Sequence, residues 1–172
     1  MLKWNKKFKY PETVREMIDG ARHYSIDNRK LPSVTTILQS TQSDEKKAVL
    51  ENWQKKVGYD NAEQIKNTAA NRGSIMHHII ESYLLDERHA DLSEIGQQAG
   101  KMAQIIIDQG LKGSMDEIWG TEVTLYYPDL YAGASDLAGI YEGRESIMDF
   151  KQSNKPKRKE WISDYFLQLA AY

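Results

Sequence analysis

Apolar residues recur at helical spacing through the first two-thirds of the chain, then alternate from about residue 117. Residues 44–57 predict a helix with Ala48, Val49, Trp53 and Val57 on one rough stripe. A second helix is expected over about 61–87, with Ile75, Ile79, Ile80, Tyr83 and Leu84 as its apolar face. A third runs from about Ser93 to Leu111, faced by Ile95, Met102, Ile105 and Ile106, and stops at the Gly110–Gly113 cluster. Ahead of them, residues 13–26 suggest a small hairpin turning at Asp19-Gly20. The stretch LPSVTTIL predicts a short helix with Ser33 as its N-cap.

In the alternating region, 117–127 is a strand, YPDLY a turn, and Gly133–Tyr141 and Ser146–Lys151 the next two strands. Trp161, Ile162, Tyr165, Phe166 and Leu169 then mark an amphipathic helix, with Trp161 expected to pack on the sheet. The periodic pattern is still running at Tyr172 with no capping signal, as expected of a truncated C-terminal part. Helices followed by a strand meander and a helix predict an α+β or α/β fold, with a small mixed sheet flanked by helices. One domain is expected: an N-terminal hairpin (1–30), a helical part (31–112), and the sheet with its last helix (113–172).

Composition changes this picture little. A chain of 172 residues, 40% apolar and 28% charged, is long enough to bury a core as one domain. No apolar run reaches membrane-spanning length, and the basic MLKWNKKFKY lacks the apolar centre of a secretory signal. The absence of cysteine excludes disulfides, thiolate zinc sites and cysteine-ligated iron–sulfur clusters. Net charge is −2, but it is uneven: KQSNKPKRKE carries Lys151, Lys155, Lys157, Arg158 and Lys159 against one acid. Such a run suits a solvated loop or a phosphate-binding patch equally well by itself.

Its position beside two aspartates favours phosphate. In a two-residue hairpin closed at Glu142-Gly143, Asp136 falls directly opposite Asp149, and Lys151 shares their face two residues on. A four-residue loop keeps all three on one face, whereas a three-residue loop separates them. Like charges facing each other across a ladder are destabilising, so the pair calls for a cation. If 127–131 forms the preceding loop, Glu122 falls opposite Asp136; a third site carboxylate and a solvent-facing strand glutamate are equally good readings.

His77 and Glu81 lie one helical turn apart, so one helix face offers an imidazole and a carboxylate. A satisfied, partly buried histidine is the plainer reading of His77, and His78-x-x-Glu81 is a weak metal motif with no second half. Gln168 and Tyr172 likewise share a face; alone they read as surface residues, but the basic loop leads straight into their helix.

The ordered set Gly73-x-x-x-His77, Gly133-x-x-Asp136, Asp149-x-Lys151 and Gln168-x-x-x-Tyr172 resembles the RecB-like branch of the PD-(D/E)XK nucleases. LPSVTTIL, a Trp-bearing helix and RGSIMHHIIE are similar to the mitochondrial genome maintenance exonuclease group and its phage relatives. The resemblance covers about Leu31 to Tyr172 and departs where no strands follow the last helix. It implies a restriction-endonuclease-like fold and a Mg²⁺- or Mn²⁺-dependent deoxyribonuclease in DNA replication, repair or recombination. Asp136 and Asp149 would hold the metal, with His77 and the Phe150 carbonyl as further ligands. Lys151 would orient or activate the attacking water, and Gln168 and Tyr172 would position the strand or Lys151. Ser33, Thr35 and Arg72 are expected DNA contacts, and Lys155, Lys157, Arg158 and Lys159 would follow the phosphate backbone.

The expected substrate is DNA, with single-stranded ends preferred and no membrane partner, and the protein is expected to be a monomer. Trp53, Tyr126, Tyr131 and Trp161 could stack unpaired bases, although core positions suit most of them better. A nucleic-acid-binding protein on the same fold, without catalysis, is the alternative. A phage-encoded protein in the bacterial host cytoplasm is the expected setting, with the mitochondrion second.

Overall fold

A computed structural model describes residues 2–154 and 156–172. Two compact units emerge, one of residues 1–40 with 113–172 and one of residues 41–112. The expected α+β class holds.

The first unit carries two three-stranded sheets. β1 (Val14–Ile18), β2 (Ala21–Ile26) and β3 (Arg29–Pro32) form one; β4 (Met115–Tyr127), β5 (Tyr131–Tyr141) and β6 (Arg144–Met148) form the other. All four ladders are antiparallel, and two isolated parallel bridges, Trp4 to Ile118 and Ser33 to Ala132, add the mixed character. The hairpins at Asp19-Gly20 and Glu142-Gly143 form where turn chemistry places them, with positive φ at both central residues. Asp27 and Asn28 make a third such turn (φ 47° and 63°), so β3 forms where the sequence suggested only a lead-in to a helix. Short polar side chains at both central positions make that conformation accessible.

Tyr24, Ile26 and Leu31 of the small sheet bury against Ala132 of β5. That packing ties β1–β3 to the larger sheet. Ser33 caps α1 (Val34–Ser40) as expected, its Oγ accepting from Thr36 N at 3.0 Å. After β6 the chain passes a 3₁₀ turn (Lys159–Trp161) into α5 (Ser163–Ala171), which packs beside α1. Trp161 does not pack on the sheet: it is 63% exposed, because the short turn holds it outside the helix's buried face.

The second unit holds α2 (Asp44–Val57), α3 (Tyr59–Leu84) and α4 (Glu94–Ile106), the last extended by a π-helical turn over Ile107–Leu111. Ser43 and Ser93 cap α2 and α4 through their hydroxyls. The stripe on α2 is not a core stripe: the helix buries no residue, Val49 is 70% exposed and Trp53 37%. On α4 the buried residues are Gly96, Ala99 and Ala103, while Ile105 is exposed. Small side chains let α3 lie close, so the larger isoleucines flank the contact instead of filling it. Among the described residues no helix is long and apolar enough to cross a membrane.

Candidate active site

The site in the first unit is built on β4 and β5. Thr121 pairs with Leu137 and Val123 with Ser135, so Glu122 stands opposite Asp136, as the YPDLY turn requires. One carboxylate oxygen of each lies within 4.8 Å of the other, and both residues are half-buried. Glu122 adopts φ 50°, a left-handed conformation costing a non-glycine residue about 1–2 kcal/mol. Such strain persists only where surrounding structure imposes it. Two carboxylates this close repel unless a cation stands between or beside them. Part of that charge comes from Arg15 on β1, whose Nη2 donates to Glu122 Oε2 at 3.1 Å.

β6 ends at Met148, short of the strand expected through Lys151. The backbone N–H of Phe150 turns to donate to Asp136 Oδ2 instead of continuing a ladder. Asp149 and Lys151 therefore meet outside strand alternation: the Lys151 ammonium forms an ion pair with Asp149 Oδ2. The Asp149 side chain is only 8% exposed, against 35% for Lys151. Its other oxygen, Oδ1, accepts from Gln168 Nε2 at 3.0 Å, and the same amide donates to the Tyr172 hydroxyl at 2.9 Å. Gln168, the buried residue of α5, thus fixes the Asp149 carboxylate from behind.

Burial drives the Tyr172 hydroxyl up to about 12; donation from Gln168 opposes the shift, and the charges of Asp149 and Asp136 add to it. The phenol stays protonated at neutral pH and keeps its own O–H as a donor. Gly133 explains how the ring fits. A Cβ there would lie 2.2 Å from Tyr172 Cε1, so only glycine admits the tyrosine.

The remaining expected residues differ in burial and in partners. Ser33 is buried, its hydroxyl committed to the cap and to the Thr35 and Thr36 hydroxyls; Thr35 itself is exposed. Lys157 donates to the Tyr165 hydroxyl and lies over its ring, and Arg158 covers the Trp161 ring at 5.4 Å. Lys159 is exposed, and Lys155 lies outside the described residues. Trp53, Tyr126 and Trp161 are all too exposed to be the core residues the sequence favoured, while Tyr131 is half-buried. In the helical unit, His77 and Glu81 are half-buried on α3, His78 is exposed with its ring 4.4 Å from that of His89, and Arg72 donates to Gln98.

Arg15 was not legible as a site residue. Its local sequence offers one arginine in a hairpin, and only the unexpected β3 and its packing on β5 bring β1 to Glu122.

No protein-family model matches the chain. It is similar to three proteins named mitochondrial genome maintenance exonuclease 1. The Xenopus tropicalis protein is 31% identical over 153 residues, 84% of this chain and 43% of the relative. The mouse protein is 28% identical (86% and 44%) and the human one 27% (83% and 42%). The chain therefore spans less than half the length of the curated relatives it matches. This similarity supports a nuclease family.

Proposed function

We propose that this chain is the metal-dependent catalytic part of a DNA exonuclease of the PD-(D/E)XK type, acting on single-stranded ends. The observation that supports the reading is the Glu122–Asp136 carboxylate pair within 4.8 Å, with Asp136 taking the Phe150 N–H next in sequence to an Asp149–Lys151 ion pair that Gln168 holds. The relatives' shared name, exonuclease, supports the same activity.

The donor set fits a hard divalent cation, because carboxylate oxygens suit Mg²⁺ or Mn²⁺ and a pair of them within 4.8 Å needs positive charge. Glu122, Asp136 and Asp149 are the proposed carboxylate ligands. His77 and the Phe150 carbonyl are proposed as further ligands on their sequence pattern. A bound divalent ion would polarise the phosphate and lower the pKa of an attacking water. Hydrolysis forms a bond from the water oxygen to phosphorus and breaks the bond to the leaving sugar oxygen, which takes up a proton. Lys151, held by Asp149, orients that water and offsets the negative charge that grows on the phosphoryl oxygens. Gln168 and Tyr172 hold the Asp149–Lys151 pair in place. Arg72, Thr35, Lys155, Lys157, Arg158 and Lys159 are proposed backbone contacts, which makes affinity fall with salt. The relatives' names favour the mitochondrion over a host cytoplasm as the setting.

The test is cleavage of end-labelled single- and double-stranded DNA with Mg²⁺, Mn²⁺ or chelator, beside a Lys151→Ala variant. Cleavage should need the metal, favour single strands and vanish in Lys151→Ala, which should still bind DNA in Ca²⁺. Binding without cleavage in the unaltered chain would support the non-catalytic alternative.

A further inference from the structure

Arg15 sits where a merely structural arginine has little reason to be. Its guanidinium pairs with Glu122, whose carboxylate is one of two drawn within 4.8 Å of each other. It also lies 5.9 Å from the ring of Tyr24, its cross-strand partner on β2. Yet the side chain is 49% exposed. A guanidinium has five N–H donors in a fixed fork, far more than one bond to Glu122 uses.

We infer that Arg15 is an exchangeable counter-ion: it neutralises Glu122 when no divalent ion is bound, and turns its fork to a backbone phosphate oxygen of the DNA strand once Glu122 serves the metal. This rests on the metal-dependent reading given above. Competition makes the case. Glu122 and Asp136 form a pair that needs positive charge, and two cations, one tethered and one free, seek the same carboxylate. A tethered cation that binds the ligand must weaken the free one, by the reciprocity of linked equilibria. Arginine suits the second task because its planar fork matches phosphate oxygens and its charge is never lost.

This predicts effects of opposite sign from one substitution. Arg15→Ala should bind Mn²⁺ more tightly, by about two- to five-fold for a half-exposed ion pair. The same protein should bind a single-stranded oligonucleotide more weakly in Ca²⁺, with a salt slope shallower by about one counter-ion. Arg15→Lys should restore the Mn²⁺ affinity of the parent but only part of the oligonucleotide affinity, since an ammonium lacks the fork. Isothermal titration with MnCl₂ and fluorescence anisotropy of a labelled oligonucleotide read these without any turnover, and thermal melting confirms that each variant is folded. Unchanged or weaker Mn²⁺ binding in folded Arg15→Ala would overturn the exchange, as would unchanged oligonucleotide binding. Asp136→Asn distinguishes the two failures. If the parent shows no Mn²⁺ binding that Asp136→Asn removes, the metal reading itself is wrong and the exchange falls with it. If that binding is present and Arg15→Ala leaves it unaltered, only the exchange is wrong.

Discussion

Two glutamates five residues apart on β4 show how one strand serves two ends. Glu117 is saturated. Lys3 reaches it at 2.6 Å, Asn5 Nδ2 and Trp119 Nε1 each donate at 2.8 Å, and its side chain is 9% exposed. With Lys3 as the leading cause, followed by Trp119 and Asn5, its carboxyl is held down at about 2. Beside it, Asn5 N donates to Ile118 O and Ile118 N to Lys3 O, so the N-terminal segment meets β4 through backbone bonds as well as through the carboxylate's bonds to Lys3 and Asn5. Glu122 is the reverse: a third exposed, strained at φ 50°, facing another carboxylate and partnered by an arginine from a different sheet. A carboxylate whose oxygens are filled by fixed donors holds structure together. One that shares a small space with a like charge meets a repulsion that a cation would relieve.

The largest effect that would break this contrast comes from removing charge at each end. Asp136→Asn should abolish Mn²⁺ binding and reduce cleavage by at least about 100-fold, because electrostatic stabilisation of the transition state usually contributes most to catalysis. Glu117→Gln should leave cleavage within about two-fold and lower the melting temperature instead, having lost an ion pair and kept most of its hydrogen bonds. Comparable losses of activity in the two variants would show that the two ends of β4 are not separable.

Next in size is the histidine pair on α3. His77→Ala should reduce Mn²⁺ affinity and activity by about ten-fold or more, as expected when a metal ligand is removed, while His78→Ala should be mild. His78 is exposed and already faces His89. A larger effect at His78 would place the functional face of α3 on its other side.

A smaller effect is expected at Gly133. Alanine there puts a methyl into the Tyr172 ring, so the ring must move and the Gln168–Tyr172 bond must lengthen or break. Overpacking of this kind costs about 1–3 kcal/mol. Activity should fall several-fold with Mn²⁺ affinity nearly kept, measured side by side in the same preparation. Tyr172→Phe in the same background should then add little. If Gly133→Ala alters neither stability nor turnover, Tyr172 does not support the Asp149–Lys151 pair.

Much of this was legible because turns fix register. Glu142-Gly143 and YPDLY each dictate which residues face one another, and through YPDLY Glu122 was placed opposite Asp136 from sequence, while the ladder from Glu142-Gly143 stops at Leu137–Met148, one pair short of Asp136 and Asp149. What failed had a physical cause in each case. The strand through Lys151 was cut short by a side-chain acceptor, Asp136 Oδ2, that captures the Phe150 N–H. Period alone cannot see such a capture. The apolar stripe on α2 was a pattern without a partner, since periodicity reports which residues share a face and not whether that face is covered. Arg15 was missed because its place depends on β3 and the Tyr24–Leu31–Ala132 packing, a contact distant in sequence. Glu117 was missed for the same reason, as its partners include Lys3 and Asn5 over a hundred residues away.

The smallest effect is on stability in acid, and it sharpens the contrast most directly because it bears on Glu117 alone. Its folded carboxyl titrates near 2 against 4.5 for the ordinary group, so the shift is downward. A group depressed on folding adds stability that is fully present above its unfolded value and disappears as pH falls toward the folded one. The window is therefore from about pH 5 down to about pH 2. Within it the unfolded chain binds a proton that folded Glu117 refuses, and protonation releases Lys3 from its partner. The parent should lose melting temperature through this range more steeply than Glu117→Gln, which has no charge to titrate. Above about pH 6 the two curves should run parallel, separated by a constant offset. Melts by circular dichroism at closely spaced pH values would check this. Parallel curves throughout the acid range would mean that the N-terminal segment is held to β4 by its backbone bonds and not by the carboxylate, and Glu117 would then differ from Glu122 in position only.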